Sequence, residues 1–589
     1  AAGYRKIVLL KGTYRINGED ARETCISIPS YFTVDMNGST FKLDTIDNDA
    51  SGAIVRMTDV VDAHLINGTL EGDRFERKAL DLEHLYNGEP INTVFIRGGK
   101  YCSLDNLTIK NTTGHTIFTA YQLGPGKNVS GYTNTAIVDG KEVPKSNCST
   151  SSMVDLQDII NWDKDTDYLY VGYYGGYRGI KGESPIVCVS FYDSNKSFME
   201  TITSYQYRKV GIPSGARYAR ITLLGSNIPT SGSDSLQVFT KHLGDYNAFT
   251  NIDFIDTRTT CIAPAACNNL LIEGCTYTRC GCSITPLEVD FEDCWEEGQD
   301  IYYRNNTVIE KAATNTGTIV DNTGYNHVYE NLENHSVTIR GRASGVVFRN
   351  NTDGKSTLNW AVNDKIHSGF GRIYNNNCGF INFYNSSGSA IPVEMKVKNC
   401  VIINGPTTNT WTGSLPDRVV YENCTFTSFA GANATLVNCT VIPSNAFQDK
   451  LFFYGCTFGK DQKNGYNISS FVDTTRVFEN CIFNGQTEFT HYGFLGSVFR
   501  GCTFADLTMI DCVSSGNDAI VFDNCKINSS ADKFIHVGPY AYSTGRLNFL
   551  LRNCELTHIG STFIYLSSTP TGDSQILFEK CTVNTSGTT

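Results

Sequence analysis

The densest run of ionisable side chains is Glu288-Val289-Asp290-Phe291-Glu292-Asp293-Cys294-Trp295-Glu296-Glu297-Gly298-Gln299-Asp300. Acid and apolar residues alternate through its first part with the period of a strand. Val289 and Phe291 are therefore expected to face a core, and Glu288, Asp290 and Glu292 to project outward. Carboxylates two apart on a strand stand about 6.6–6.8 Å from one another. Inverting glycosidases hold their acid and base roughly 6.5–9.5 Å apart, with a water between. Crowding also drives carboxyl pKa values apart, so that one group donates a proton while its neighbour stays ionised. The chemistry this pattern supports is glycosidic hydrolysis, with Asp290 as acid or base and Asp293 or Asp321 as its partner.

Glu292 and Glu297 are the second-choice carboxylates. Arg258 and His115 are expected to position substrate or stabilise charge, Arg279 and His327 are further titratable partners in neighbouring coils, and Trp295 offers a sugar-stacking face. Asp321 enters through a repeat. Aligning Ile272–Tyr277 with Tyr303–Val308 gives an offset of 31 residues, which sets Asp290 over Asp321 and Val289 over Val320. The plain alternative is a solvated acidic face that binds nothing. Like charges stacked on neighbouring strands are destabilising without a ligand, however, and that favours a site.

These residues must be positioned by something with a regular rise. From Val397 on, one hexad recurs: large apolar, any residue, Asn or Gly, Cys, any residue, large apolar. It centres on Cys400, Cys424, Cys439, Cys456, Cys481, Cys502, Cys525, Cys554 and, with Lys580 in place of the Asn, Cys581, and weaker copies run upstream through Leu104–Ile109, Phe249–Phe254 and Ile272–Tyr277. A period of about 15–30 residues signals a solenoid. Apolar and Cys positions do not share one strand face, so a turn or bulge is expected at the Asn, the residue that best tolerates a left-handed backbone. The cysteines then stack as small buried thiols. Cys280-Gly281-Cys282 has the only spacing close to that of a zinc site, and it lacks the paired ligands such a site needs. Unpaired thiols favour assembly in a reducing cytoplasm.

From residue 125 to 246 the hexad vanishes and short strands alternate with turn signals, the texture of a small antiparallel sandwich. Three regions follow: β-helix coils over 1–124, an inserted sandwich over 125–246, and the main β-helix with its Cys/Asn ladder over 247–589. Tyr168, Tyr170, Tyr173, Tyr174 and Tyr177 are either sugar-stacking faces of the insert or its core. The 589 residues carry 48 basic and 60 acidic side chains, a net charge of -12, which lacks the basic footprint of a nucleic-acid binder. No apolar run approaches the length of a membrane-spanning helix.

Gly12-Thr13-Tyr14-Arg15-Ile16 and Ile66-Asn67-Gly68-Thr69-Leu70-Glu71-Gly72-Asp73 resemble the first coils of pectin-lyase-like right-handed parallel β-helix proteins. That likeness implies an all-β solenoid along the whole chain outside the insert. Phe191–Lys196, Ile212-Pro213-Ser214 and Tyr218-Ala219-Arg220 resemble galactose-binding-like modules of bacterial surface and phage tail proteins. Asp290–Asp300, after Thr257-Arg258-Thr259 and Thr285-Pro286, resembles a segment of phage-tail and prophage β-helices. The signature Asn-Thr-Asp, Asp-Asp, His-Gly and Arg-Ile-Lys set of polygalacturonase-like hydrolases is not reproduced.

What the resemblance implies is a tailspike-type depolymerase: bacterial surface polysaccharide as the substrate class, a homotrimer on a virion tail or an extracellular particle, and no nucleic-acid or membrane partner. A lyase or epimerase on the same fold, with Ca²⁺ held by the acidic cluster, is one alternative; otherwise no cofactor or metal is expected. A non-catalytic receptor-binding adhesin is the other.

Overall fold

The structure, a computed structural model, describes residues 5–17, 26–45, 52–76, 91–162, 167–173, 186–205, 208–224, 236–281, 287–291, 298–312, 318–321, 325–340, 345–362, 370–385, 394–403, 419–429, 434–443, 451–459, 466–469, 476–490, 496–510, 519–537, 548–566 and 574–586. They gather into two compact units, one containing Ala1–Glu330 and Asn334–Val346, the other Asn331–Glu333, Val347–Asn363 and Ser368–Thr589. Each unit is all but wholly β, and each is built on parallel ladders in which a strand pairs with its equivalent one coil later. That is the pairing of a parallel β-helix. Among the described residues no helix is long and apolar enough to cross a membrane.

In the second unit the hexads lie where the ladders bend. Asn399, Asn423, Asn438, Asn480, Asn524 and Asn553 all have φ between 52° and 55°, and Gly455 and Gly501 take the same left-handed turn at 61° and 60°. Asn is among the few residues that enter this region at low cost. The turn lets both flanking apolar positions point inward. Phe453, Phe478, Phe499 and Phe522 stack at 4.8, 4.6 and 4.8 Å between ring centroids, and Phe458, Phe483 and Phe504 at 4.5 and 4.4 Å. Those spacings are close to the strand separation itself. From Cys424 on, each hexad cysteine donates its thiol hydrogen to a carbonyl of the preceding coil, as Cys424 does to Val397 and Cys502 to Phe478.

No described cysteine is in a disulfide, as compatible with reducing assembly as the sequence suggests. Burial pushes the Cys102 thiol up to about 11 and that of Cys275 to about 12. Buried, protonated thiols are poor nucleophiles. Native protein treated with iodoacetamide at neutral pH is therefore expected to be alkylated, among the described cysteines, at the half-buried Cys188 and Cys581 alone. Mass spectrometry of the alkylated peptides checks this; fast labelling at Cys439 or Cys502 contradicts it.

In the first unit two parallel ladders matter for function. One runs through Ser103–Lys110, Ala248–Ile255, Leu271–Glu273 and Tyr302–Arg304. The other runs through Ile91–Arg97, Ile117–Ala120, Ile262–Pro264, Leu287–Phe291, Thr318–Asp321 and Ser336–Arg340. Ser103–Lys110 pairs directly with Ala248–Ile255, so the coils before and after the intervening residues are immediate neighbours.

Between them, strands from Gln122 to His242 are antiparallel. One sheet holds Gln122–Asn128, Leu236–His242, Tyr168–Tyr173 and Val210–Gly211; the other holds Cys148–Thr150, Val154–Asp155, Tyr218–Leu224, Ile186–Tyr192 and Phe198–Tyr205. Leu169, Val171, Val187, Val189, Ile221 and Val238 share one core from both sheets. Tyr170 instead packs with Phe239, Leu243 and Ala266 at the root of the insert and is fully buried there. Tyr170 therefore presents no face to a sugar, and Tyr174 and Tyr177 lie outside the described residues.

Candidate functional site

The turns that lead into the second ladder are stacked by their backbones. Gly72 N–H donates to Lys110 O, Asn111 N–H to Ile255 O, and Arg258 N–H to Thr112 O. Gly72 has to be glycine, because a Cβ there would stand 2.5 Å from Asn111 O. Thr113 donates its hydroxyl to Asp73 at 2.7 Å inside this stack, which brings a buried carboxylate that sequence reasoning passed over. His115 and Arg258 leave the same stack, both nearly buried at 8% and 4% exposure.

The His115 ring lies 5.5 Å from that of Phe118 at 18°, Phe118 stacks on Phe95 at 5.7 Å, and the Arg56 guanidinium sits 5.4 Å from the Phe95 ring. These side chains occupy the outward face of the ladder, since Val94 and Ile117, one residue earlier on each strand, are in the core. Ile262 pairs with Val289, so the same outward row continues through Ala263 to Asp290. Asp290 is half-buried and two strand spacings, about 10 Å, from Phe118. A cation and an aromatic strip thus stand on one flank of a carboxylate, with a methyl group as the floor between them.

Burial lowers the His115 pKa from the usual 6.5 to about 4. The ring is neutral at pH 7, so it can orient a ligand by hydrogen bonding but supplies no positive charge there. The unfolded chain takes up this proton near pH 6.5 and the folded chain only near 4. The resulting stability is intact above pH 6.5 and is lost as the pH falls towards 4, by about 3 kcal/mol in all. His115→Gln is expected to flatten the pH dependence of urea unfolding across that window; an unchanged slope would place the acid sensitivity elsewhere.

Two of the expected carboxylates turn inward. The offset of 31 holds at Leu287, which pairs with Thr318, but a bulge follows: Val289 pairs with Ile319, Asp290 with Val320 and Phe291 with Asp321. Asp290 and Asp321 therefore lie on opposite faces, and the expected pair is not formed. Asp321 is fully buried; its Oδ2 accepts from the Tyr329 hydroxyl at 2.9 Å and meets His327 Nδ1 at 2.8 Å. His327 Nε2 faces Gly298 O at 3.2 Å. Neither group is open to a substrate. Glu288, expected outside, is the bulge residue and is only 1% exposed. Burial raises Tyr303 well above its ordinary pKa, and the charge of Glu288 adds to that rise.

Arg279 is also committed elsewhere: it holds Asp256 through two nitrogens at 2.8 Å and Glu310 through a third at 2.7 Å. Glu292, Asp293, Trp295 and Glu297 lie outside the described residues. Among those described, no group of three or more His, Cys, Asp or Glu side chains is arranged to hold a metal ion. Sequence reasoning missed Phe118, Phe95 and Arg56, whose signal was the place of Phe118 two residues after the turn that carries His115.

No family model matches the chain, and no curated protein matches it. Among solved structures it is similar to the tailspike protein gp49 from Pseudomonas phage LKA1, at 13% identity over 83% of this chain and 74% of that one, TM-score 0.17. It is also similar to the siphovirus 9NA tailspike receptor binding domain, at 8% identity over 97% and 76%, TM-score 0.18. A third is the hyperthermoactive exopolygalacturonase from Thermotoga maritima, at 9% identity over 97% and 92%, TM-score 0.14. Scores this small pair no residue of this chain with a residue of those proteins. The roles of its side chains come from its own geometry.

Proposed function

We propose that the chain binds and hydrolyses a bacterial surface polysaccharide, in the manner of a phage tailspike depolymerase. The observation that carries this reading is the outward row of the second ladder: half-buried Asp290 beside an aromatic strip, under a turn that presents Arg258 and His115. An aromatic strip suits the apolar flank of a sugar ring, and a partly desolvated carboxylate suits proton transfer to or from a glycosidic oxygen or a water. With Asp321 turned into the core, the second carboxyl group is assigned to Glu292, Asp293 or Glu297. The antiparallel insert is a second glycan-contacting module of galactose-binding-like type. Assembly as a homotrimer on a virion tail completes the proposal.

A lyase is the second reading, supported by the burial of Arg258 and His115, since proton abstraction beside a uronate carboxylate needs a neutralising cation and a neutral base. One experiment separates the two. Purified surface glycans from candidate hosts are incubated with the chain, and reducing ends are followed together with the ultraviolet absorbance of unsaturated uronates. Reducing ends without absorbance support hydrolysis, and both together support a lyase. Binding with neither makes the chain an adhesin for those glycans.

A further inference from the structure

Among the described residues of the first unit, successive coils turn out of the second ladder through one left-handed residue. Backbone hydrogen bonds from coil to coil align Tyr31, Asp62, Tyr101, Tyr246, Asn269, Asp300 and Asn326 in a single column, with φ from 50° to 61°; Tyr31 stands apart from the other two tyrosines, beyond Asp62. Asp and Asn are the residues expected there, because a short polar side chain relieves the left-handed backbone locally. Asn269 and Asn326 also tie the coils together, donating their side-chain amides to Asp245 and Asp300 of the preceding coil at 2.9 and 3.1 Å. Tyrosine has no such relief, and a bulky residue at positive φ is an outlier.

Two tyrosines nevertheless stand together. The Tyr101 and Tyr246 rings are 5.2 Å apart and within 7° of parallel, and each residue is 52% exposed. Among the described residues neither hydroxyl makes a hydrogen bond. The flanking positions in the column, Asp62 and Asn269, are short, so the outer faces of the stack are not walled in by side chains of the same column. The coil requires the left-handed backbone but not the tyrosine, and residues held in such conformations cluster at ligand clamps.

We propose that Tyr101 and Tyr246 form a glycan-binding subsite for a neutral pyranose, distinct from the row that carries Asp290. The sugar ring packs its C–H face against the aromatic pair, and the two phenol groups exchange hydrogen bonds with its hydroxyls. Asp62 and Asp245 lie beside the stack, with Lys100 as the cationic group next to them, and His64 Nε2 meets Asp62 Oδ1 at 2.9 Å. A carboxylate flank of this kind disfavours a uronate. The subsite rests on the glycan-binding part of the proposed function and not on hydrolysis.

The test is saturation-transfer NMR on the full chain with maltohexaose, cellohexaose and chitohexaose as neutral probes and hexagalacturonate as the acidic one. Wild type is expected to transfer signal to at least one neutral probe, and Tyr101→Asn with Tyr246→Asn to lose at least fivefold in affinity for it. Asn already occupies this column in two coils, so the double variant is expected to melt no lower than wild type; Tyr246→Asn alone serves as the second variant. Binding that survives both variants overturns the subsite, as does the absence of binding to every neutral probe or a preference for hexagalacturonate. Tyrosine-dependent binding with no cleavage of any glycan keeps the subsite and removes the hydrolase.

Discussion

Replacing Asp290 by Asn is expected to abolish release of reducing ends while leaving glycan binding and the fold in place. Asp290 lies on the outward face of Leu287–Phe291, opposite the core residues Val289 and Phe291. Asn keeps the volume of the side chain and a hydrogen-bonding group, so the strand and its pairing with Thr318–Asp321 are preserved. A shape-conserving change at a half-buried position outside the core is expected to cost little stability, on the order of 0.5 kcal/mol. The lost carboxyl group is another matter, since a positioned acid or base contributes roughly 10²–10⁴-fold to rate. A fall in kcat of that size, with an unchanged melting curve and retained binding, supports Asp290 as acid or base. Full activity in Asp290→Asn moves the chemistry to Glu292, Asp293 or Glu297.

The reason Asp290 faces outward without Asp321 beside it shows what a sequence can and cannot carry. The hexad was legible because its period is set by the coil and its Asn by the left-handed turn, and both are properties of residue type. The repeat offset of 31 was also right where it was measured, since Ile272 pairs with Tyr303 and Tyr277 with Val308. It failed in the other ladder because Glu288 is an extra residue in its strand, and one extra residue exchanges the two faces of everything after it. Nothing in Leu287-Glu288-Val289 announces a bulge; the alternation of acid and apolar is intact. The bulge turns Glu288 inward, close enough for its charge to raise the pKa of Tyr303 and Cys261. Tyr101 and Tyr246 were hidden for a related reason, because only the coil-to-coil hydrogen bonds reveal that a tyrosine fills an asparagine position.

Asp321→Ala is expected to give the largest loss of stability of any single change at the candidate site, and to do so without Asp321 touching substrate. The Gly298 carbonyl can only accept, so His327 Nε2 carries a hydrogen, and one proton lies between Nδ1 and Asp321 Oδ2, which the Tyr329 hydroxyl also approaches. Removing the carboxyl group strands an imidazole and a phenol in the core. Breaking such a buried pair costs about 3–5 kcal/mol, most of it the desolvation of the group left behind. Asp321→Leu combined with His327→Phe removes the stranded imidazole, though the Tyr329 hydroxyl still loses this acceptor, and is expected to recover part of that loss, a non-additivity that a double-mutant cycle measures directly. His327 also packs its ring 5.0 Å from that of Phe291 while it holds Gly298, so it touches both residues that flank positions 292–297. The double variant is therefore expected to regain part of that stability yet cleave glycan more slowly than wild type, because Gly298 loses the hydrogen bond that His327 gives it. Recovery of stability together with full activity would confine the pair to the core and sever it from the chemistry. A loss of activity in Asp321→Asn at wild-type stability would instead return Asp321 to the catalytic pair, against its burial.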